Sequence, residues 1–410
     1  IGDYISLASM ANDYLLGEGC YDDVAMLSGV PRHFIQKCVV GGRTMTAENK
    51  MWRKSKCNVS DFDAVSLYPS AMNRMDGFLM GVPQVIKTFE PEKYDGYFIQ
   101  IEVTKIGKDY KFPCASLTTD EGIRNFTNDL VGKKIYMDKT GLEDLVHFQQ
   151  AEYNFIKGYY YDEGRNDKIK ETMKHLFLER IKYKKVKNPI QMVFKELMNS
   201  SYGKSFMKPI DCDTEYISRF SYNKETKEKN ENGLMKYVDR HYNSVKEITL
   251  MADEKTYKCK KIKPIDEHFN NVHVGVEILS MSKRIMYEVM TLAEDNNMKM
   301  YITDTDSIHI DTECVQPLGK LFKEIYGREL IGSGMGQFHT DFDMNNSCGE
   351  ITAVDSVFLG KKCYCDKLKS VDKDGKDIYD YHVRMKGIPN DCIVDKANKE
   401  FDGDIIALYN

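Results

Sequence analysis

Two runs of apolar residues at helical spacing lie almost end to end near the middle of the chain. From Lys168 to Lys187 the apolar positions are Ile169, Met173 and Leu176, the spacing of one helix face. Asn188 and Pro189 follow as N-cap and first-turn residues of a second helix, whose predicted buried stripe is Val193, Phe194, Leu197 and Met198. The two short helices should form a hairpin. A further helix is predicted over Val274–Leu292, and Met10, Tyr14 and Leu15 are periodic within a mixed, largely helical opening of residues 1–35. Strand composition appears around Tyr97–Val103. It also appears in YITDTDSIHID from Tyr301, which has a turn at its centre, and in DAVSLYPSAM from Asp63, which reads as a strand running into a helix. Gly41, Gly42 and Arg43 read as a turn. Residues 104–165 are mixed, and 207–270 are polar, lysine-rich and aperiodic, as an insertion would be. Asp402–Asn410 starts a helix behind a capping aspartate without a stop signal, and the chain opens on Ile1, so a piece of a longer protein is expected.

Composition narrows the class. The chain has 410 residues, 42% hydrophobic and 30% charged, which is ordinary for a globular protein of two or three subdomains. Eleven cysteines without a CxxC pair fit neither a disulfide framework nor a zinc ribbon, so reduced thiols are expected. No stretch approaches the roughly 20 apolar residues of a membrane span, which points to the cytoplasm or a host-cell interior and away from secretion. A net charge of −5 gives no global sign of a nucleic-acid partner. Lysines cluster at Lys182, Lys184, Lys185 and Lys187, from Lys255 to Lys263, and at Lys361, Lys362, Lys367 and Lys369. Each cluster alone reads as a solvated face.

The candidate chemistry is carboxylate chemistry. Asp304 and Asp306 flank Thr305 between β-favouring runs, where a charge must be solvated, paired or metal-bound. Asp63 ends a short apolar strand. Carboxylates from separate strands can hold two Mg²⁺ ions roughly 3.5–4 Å apart. No Cys or His neighbours these aspartates closely enough to suggest zinc, and His309 reads as structural. On the second helix of the hairpin, Gln191, Lys195, Asn199 and Tyr202 share one face, where a lysine can neutralise phosphate and a tyrosine can cover a base. A solvated polar face is the plainer alternative. Gly203 marks a helix stop or a close approach.

Taken in order, these segments resemble family B DNA polymerases. DAVSLYP (Asp63–Pro69) matches the first polymerase motif, KELMNSSYG (Lys195–Gly203) the second, KxxxNSxYG, and YITDTDS (Tyr301–Ser307) the third, YxDTDS. Gly41-Gly42 resembles the YxGG turn, with Val39 where tyrosine is usual. Lys362-Cys363-Tyr364 resembles the KxY primer-strand motif, and Lys386-Gly387 the approach to the thumb. The resemblance covers roughly residues 36–390. It implies an α+β right-hand fold with an antiparallel-sheet palm, short helical fingers and a partial thumb. It further implies that Asp63 and Asp306 hold two Mg²⁺ ions with help from the Ala64 carbonyl, while Asp304 supports them. Lys195 would face the triphosphate, and Arg180 or a nearby lysine would add a phosphate contact. Tyr68, after Ser66 and Leu67, would lie beneath the sugar, and Asn199 and Tyr202 would frame the incoming deoxynucleoside triphosphate. Gly41, Gly42, Ser200, Gly203, Thr305, Lys362, Tyr364, Lys386 and Gly387 would touch a DNA primer-template.

The short hairpin, about residues 166–206, and extra sequence at 104–165 and 207–270 resemble the protein-primed branch found in phages, adenoviruses and linear plasmids, which implies a terminal priming protein as partner. The expected division is a lead-in (1–35), palm (36–103), first insertion (104–165), fingers (166–206), second insertion (207–270), palm with the third motif (271–360), and palm end with partial thumb (361–410). A DxE exonuclease signature is not found before Asp63. The same letters at Asp213-Thr214-Glu215 and Asp311-Thr312-Glu313 come too late in the chain and read as coincidence. A reverse transcriptase would carry two adjacent aspartates in place of DTD. A non-catalytic nucleic-acid-binding relic would be expected to have lost a carboxylate or Lys195, and both are present.

Overall fold

The computed structural model describes residues 6–205, 207, 210–222 and 229–409. Its centre is an eight-stranded antiparallel sheet. Seven strands run in the order Thr44–Thr46, Met300–Asp304, Ser307–Asp311, Trp52–Ala64, Thr352–Gly360, Cys363–Val371 and Asp377–Met385, and Phe338–Thr340 pairs with the far end of Trp52–Ala64. One face is packed by the helices Leu67–Arg74, Val272–Asp295 and Thr312–Tyr326. The helix Val272–Asp295, expected over Val274–Leu292, is buried on nearly every side. An apolar surface all round is what a helix in the middle of a core needs. On the other face Val59, Ile302, Phe358 and Tyr364 pack beneath Phe342 and Met344.

The helical hairpin forms from Lys168–Lys185 and Ile190–Ser200. The Asn188 side chain accepts the Ile190 N–H at 3.0 Å and so caps the second helix from just outside it. Only part of the expected stripe is buried. Met198 lies in the core, whereas Val193 is 46% exposed, because the hairpin's tip stands clear of the sheet and only its base packs against other helices. Phe194 instead stacks on Tyr183 of the first helix at 5.6 Å.

Both aperiodic blocks are ordered units. The first is a four-stranded sheet, Gln84–Val85, Glu152–Tyr161, Gly96–Lys105 and Lys134–Asp138, backed by the helix Lys139–Gln149. Its strand Gly96–Lys105 runs across residue 104, so the unit begins earlier than the sequence division suggests. The second is a three-stranded sheet, Cys212–Ser218, Thr256–Ile262 and Val245–Leu250, with the helix Gly233–His241 beside it. Each block starts and finishes at one place. Just outside the first, the Met80 N–H donates to the Gly164 carbonyl at 3.1 Å, and just outside the second the Lys263 N–H donates to the Asp211 carbonyl at 2.9 Å. Among the residues whose side chains are described every cysteine is a free thiol, and among the described residues no helix is long and apolar enough to cross a membrane.

Candidate active site

The strand Trp52–Ala64 delivers Asp63 near its end, opposite Ser307 of the neighbouring strand, and the Ala64 N–H donates to the Asp306 carbonyl at 2.8 Å. The first and third motifs therefore meet. The hairpin carrying Asp306 turns in two residues. Thr305 adopts φ +71° and the Asp306 N–H donates back to the Asp304 carbonyl at 2.9 Å. A β-branched residue is rare in that region of φ, so neighbours must hold it there. The Thr305 N–H donates to the Arg43 carbonyl at 2.9 Å, and the buried Arg43 guanidinium donates to the carbonyls of Phe112 and Pro113 at 2.6 and 2.9 Å. Gly42 lies against this turn. A Cβ there would come within 2.5 Å of Thr305 Cγ2, whereas Gly41 has open space around it. Past Ala64 the chain bends through Ser66, at φ +51°, into the helix Leu67–Arg74.

These residues open onto a cavity of about 940 Å³. Its floor holds Asp63, Ala64, Ser66, Leu67, Tyr68 and Asp306; its wall is the helical hairpin with Arg180, Lys184, Lys195, Asn199 and Tyr202. Burial, then the charges of Asp306, Asp61 and Asp341, push the Asp63 carboxyl up to about 8, against the pull of Lys195. Burial raises Asp306 to about 6, with Asp304 adding to the effect. Two ionised carboxylates are thus unfavourable here unless a cation joins them. Across the cavity, Arg180 donates to the Ser66 hydroxyl at 3.1 Å, and its Nε is buried without a partner. Among the described residues Arg180, Lys184 and Lys195 form no ion pair, so three cations face the opening uncompensated. Tyr68 and Tyr202 stack at 4.1 Å and join floor to wall.

Other expected residues are placed differently. The Asp304 carboxylate turns from the cavity and accepts Lys362 Nζ at 2.6 Å and the Thr44 hydroxyl at 3.2 Å. The Lys386 N–H donates to the Lys362 carbonyl at 3.0 Å, and Gly387 has φ +92°. Thus Gly41, Gly42, Thr305, Lys362, Lys386 and Gly387 cluster along one side of the turn. Ser200 and Gly203 lie at the hairpin's end, with nothing closer than 3.6 Å to a Cβ on Gly203. Tyr364 requires a correction. It is 2% exposed and packs on Phe358 and His309, so an external strand cannot touch it as folded. Gln191, one turn beyond Lys195, does not line the cavity. Three charged or titratable lining residues, His339, Asp341 and Lys184, are not among the site residues named from the sequence. His339 and Asp341 belong to or follow the strand Phe338–Thr340 beside Asp63, in a stretch without periodicity, and Lys184 was read only as part of a lysine cluster.

The model of the family described as DNA polymerase type B, organellar and viral, matches residues 13–296. That span carries Asp63 and Lys195 and ends short of Asp304. A probable DNA polymerase of Ascobolus immersus is 29% identical over 264 residues, which is 62% of this chain and 20% of that protein. Among solved structures, phi29 DNA polymerase in an orthorhombic crystal form superposes with a TM-score of 0.64 at 16% identity, covering 97% of this chain and 62% of that one. Phi29 DNA polymerase complexed with primer-template DNA gives 0.61 at 16% identity, covering 98% and 62%. The chain therefore spans about three-fifths of the phi29 enzyme and a fifth of the Ascobolus protein. The structural likeness establishes the right-hand fold, with the central sheet as palm and the helical hairpin as fingers. With more than half its length matched by one family, the chain belongs to the type B DNA polymerases of organellar and viral type.

Proposed function

We propose that this chain performs template-directed DNA synthesis, adding deoxynucleotides to a primer hydroxyl with two magnesium ions held by Asp63, the Ala64 carbonyl and Asp306. The observation that carries this reading is one cavity with a half-buried carboxylate pair on one side and the cations Arg180, Lys184 and Lys195, without ion pairs among the described residues, on the other. That is the charge pattern of a site for a metal-bound triphosphate. The donors fit magnesium, being hard carboxylate and carbonyl oxygens. Bound there, the ions would activate the primer hydroxyl and hold the departing pyrophosphate. Lys195 and Arg180 bind and orient the phosphates, Tyr68 lies under the sugar beside Ser66 and Leu67, and Asn199 and Tyr202 frame the base. The primer-template runs past Gly41, Gly42, Ser200, Gly203, Thr305, Lys362, Lys386 and Gly387.

Initiation on a terminal protein is part of the same reading. It is supported by the two sheet-bearing blocks flanking the fingers, within 84–161 and 212–262, which can shape a duplex path that also admits a protein. Primer extension on a matched template with magnesium tests the core of the proposal. The chain should extend, and Asp306→Asn should abolish extension while leaving DNA binding in place. Near-normal extension by Asp306→Asn would sink the mechanism, and binding without extension by the unaltered chain would favour a non-catalytic relic.

A further inference from the structure

A second group of ligating side chains lies deeper on the palm sheet. Asp61 precedes Asp63 by two residues, so both side chains leave the same face of the strand, and His309 stands opposite Asp61 in register. His382 lies three strands beyond Asp61, opposite Asp366. The fully buried Asp366 accepts from the Ser356 hydroxyl at 2.7 Å, from His309 Nε2 at 3.0 Å and from His382 Nδ1 at 3.2 Å. Those bonds make one nitrogen of each imidazole a donor, so the nitrogen a neutral ring could offer to a cation is the other one, His309 Nδ1 and His382 Nε2.

The cluster is incomplete as it stands. His309 Nδ1 lies 3.6 Å from Asp61 Oδ1, beyond hydrogen-bonding distance, and both atoms are buried without a hydrogen-bond partner. Asp61 is 9% exposed and His309 is 0% exposed, so bulk water does not serve them. Asp61, His309 and His382 can each offer a ligand atom with all three within 4.8 Å of one another. One cation about 2.0–2.2 Å from each would occupy that gap and satisfy both orphaned atoms. Against the opposing effect of burial, the charges of Asp366 and Asp61 raise His309 to about 9, so a dication would take the place of that proton. With the ion bound, Asp61 and Asp366 beside two neutral imidazoles carry −2, which one dication cancels. Two imidazoles with one carboxylate suit zinc better than magnesium, and a carboxylate behind each histidine is the usual support of such ligands.

We propose that Asp61, His309 and His382 bind a divalent transition metal of the zinc class, distinct from the magnesium pair, with Asp366 as the positioning residue for both imidazoles. The ion staples the strand bearing Asp63 to the outer strand Asp377–Met385, which lies beyond two intervening strands. The site stands whether or not the chain synthesises DNA.

The test strips the chain with a chelator, dialyses it against zinc and then against zinc-free buffer, and measures zinc per chain by plasma mass spectrometry together with the thermal midpoint. The chain itself and a double variant, Asp63→Asn with Asp306→Asn, should each keep one zinc and show the same rise in midpoint. His382→Ala, at the half-exposed rim, and the isosteric Asp61→Asn should keep none and show no rise, and Asp366→Asn should bind at least about tenfold more weakly. Zinc retained equally by His382→Ala, zinc lost with the double variant, or no zinc retained by the unaltered chain each overturns the proposal.

Discussion

On the proposed function, Tyr68 is the side chain that selects the sugar. Its ring lines the cavity beside Ser66 and is held by the stack on Tyr202. Replacing it with valine removes the surface against a sugar's 2′ position. Tyr68→Val should raise ribonucleotide over deoxynucleotide incorporation about tenfold or more, since a pocket contact of this kind is worth about 1–3 kcal/mol, while Tyr68→Phe should leave the ratio near its starting value. An unchanged ratio in single-nucleotide extension would reduce Tyr68 to a packing residue. Gly42 makes a different demand. Gly42→Ala must push Thr305 aside, and with it the turn holding Asp306, so extension should fall at least about tenfold with the thermal midpoint nearly unchanged, because overpacking at one point costs only about 1–3 kcal/mol. Asp63, Lys195 and Asp306 were legible in the sequence because their chemistry is tied to short, fixed spacings. Asp341, His339 and the burial of Tyr364 were not, because each depends on strands brought together from distant parts of the chain.

At the scale of elements, helices read well and polar strands did not. The central helix and the hairpin are built on apolar periodicity. The second block is held by cross-strand ion pairs, Lys260 with Glu247 at 2.7 Å, Lys261 with Glu215 at 3.1 Å and Lys263 with Asp213 at 3.1 Å, and such pairs leave no hydrophobic pattern to read. They also account for much of the lysine run 255–263 as a solvated face. Because Asp211 and Lys263 are hydrogen-bonded neighbours, residues 212–262 can be replaced by a short glycine linker without pulling on the palm. That deletion should spare short primer extension but shorten products made in a single binding event. Equal product lengths would make the block decoration and remove the main support for the protein-primed reading.

For the whole molecule, the buried His273 couples the fold to pH. It lies on the central helix against Tyr161, with ring centroids 5.3 Å apart, and burial pulls its pKa from the ordinary 6.5 to about 3. Below pH 6.5 the unfolded chain takes up a proton that the folded one refuses. The stabilisation is therefore complete above pH 6.5 and is lost as pH falls toward 3, by at most about 1.4 kcal/mol per pH unit. His273→Phe should flatten the fall in unfolding free energy between pH 7 and 5, measured by denaturant titration, and parallel slopes for the two proteins would refute this. Tyr161 also ends the last strand of the first block, and Met80 and Gly164 just outside that block are hydrogen-bonded as Asp211 and Lys263 are. Two separate excursions leave the palm and return to their starting points. In evolutionary terms, each is a cassette that one insertion or loss event can add to a lineage or remove from it while the strands bearing Asp63 and Asp306 stay as they were.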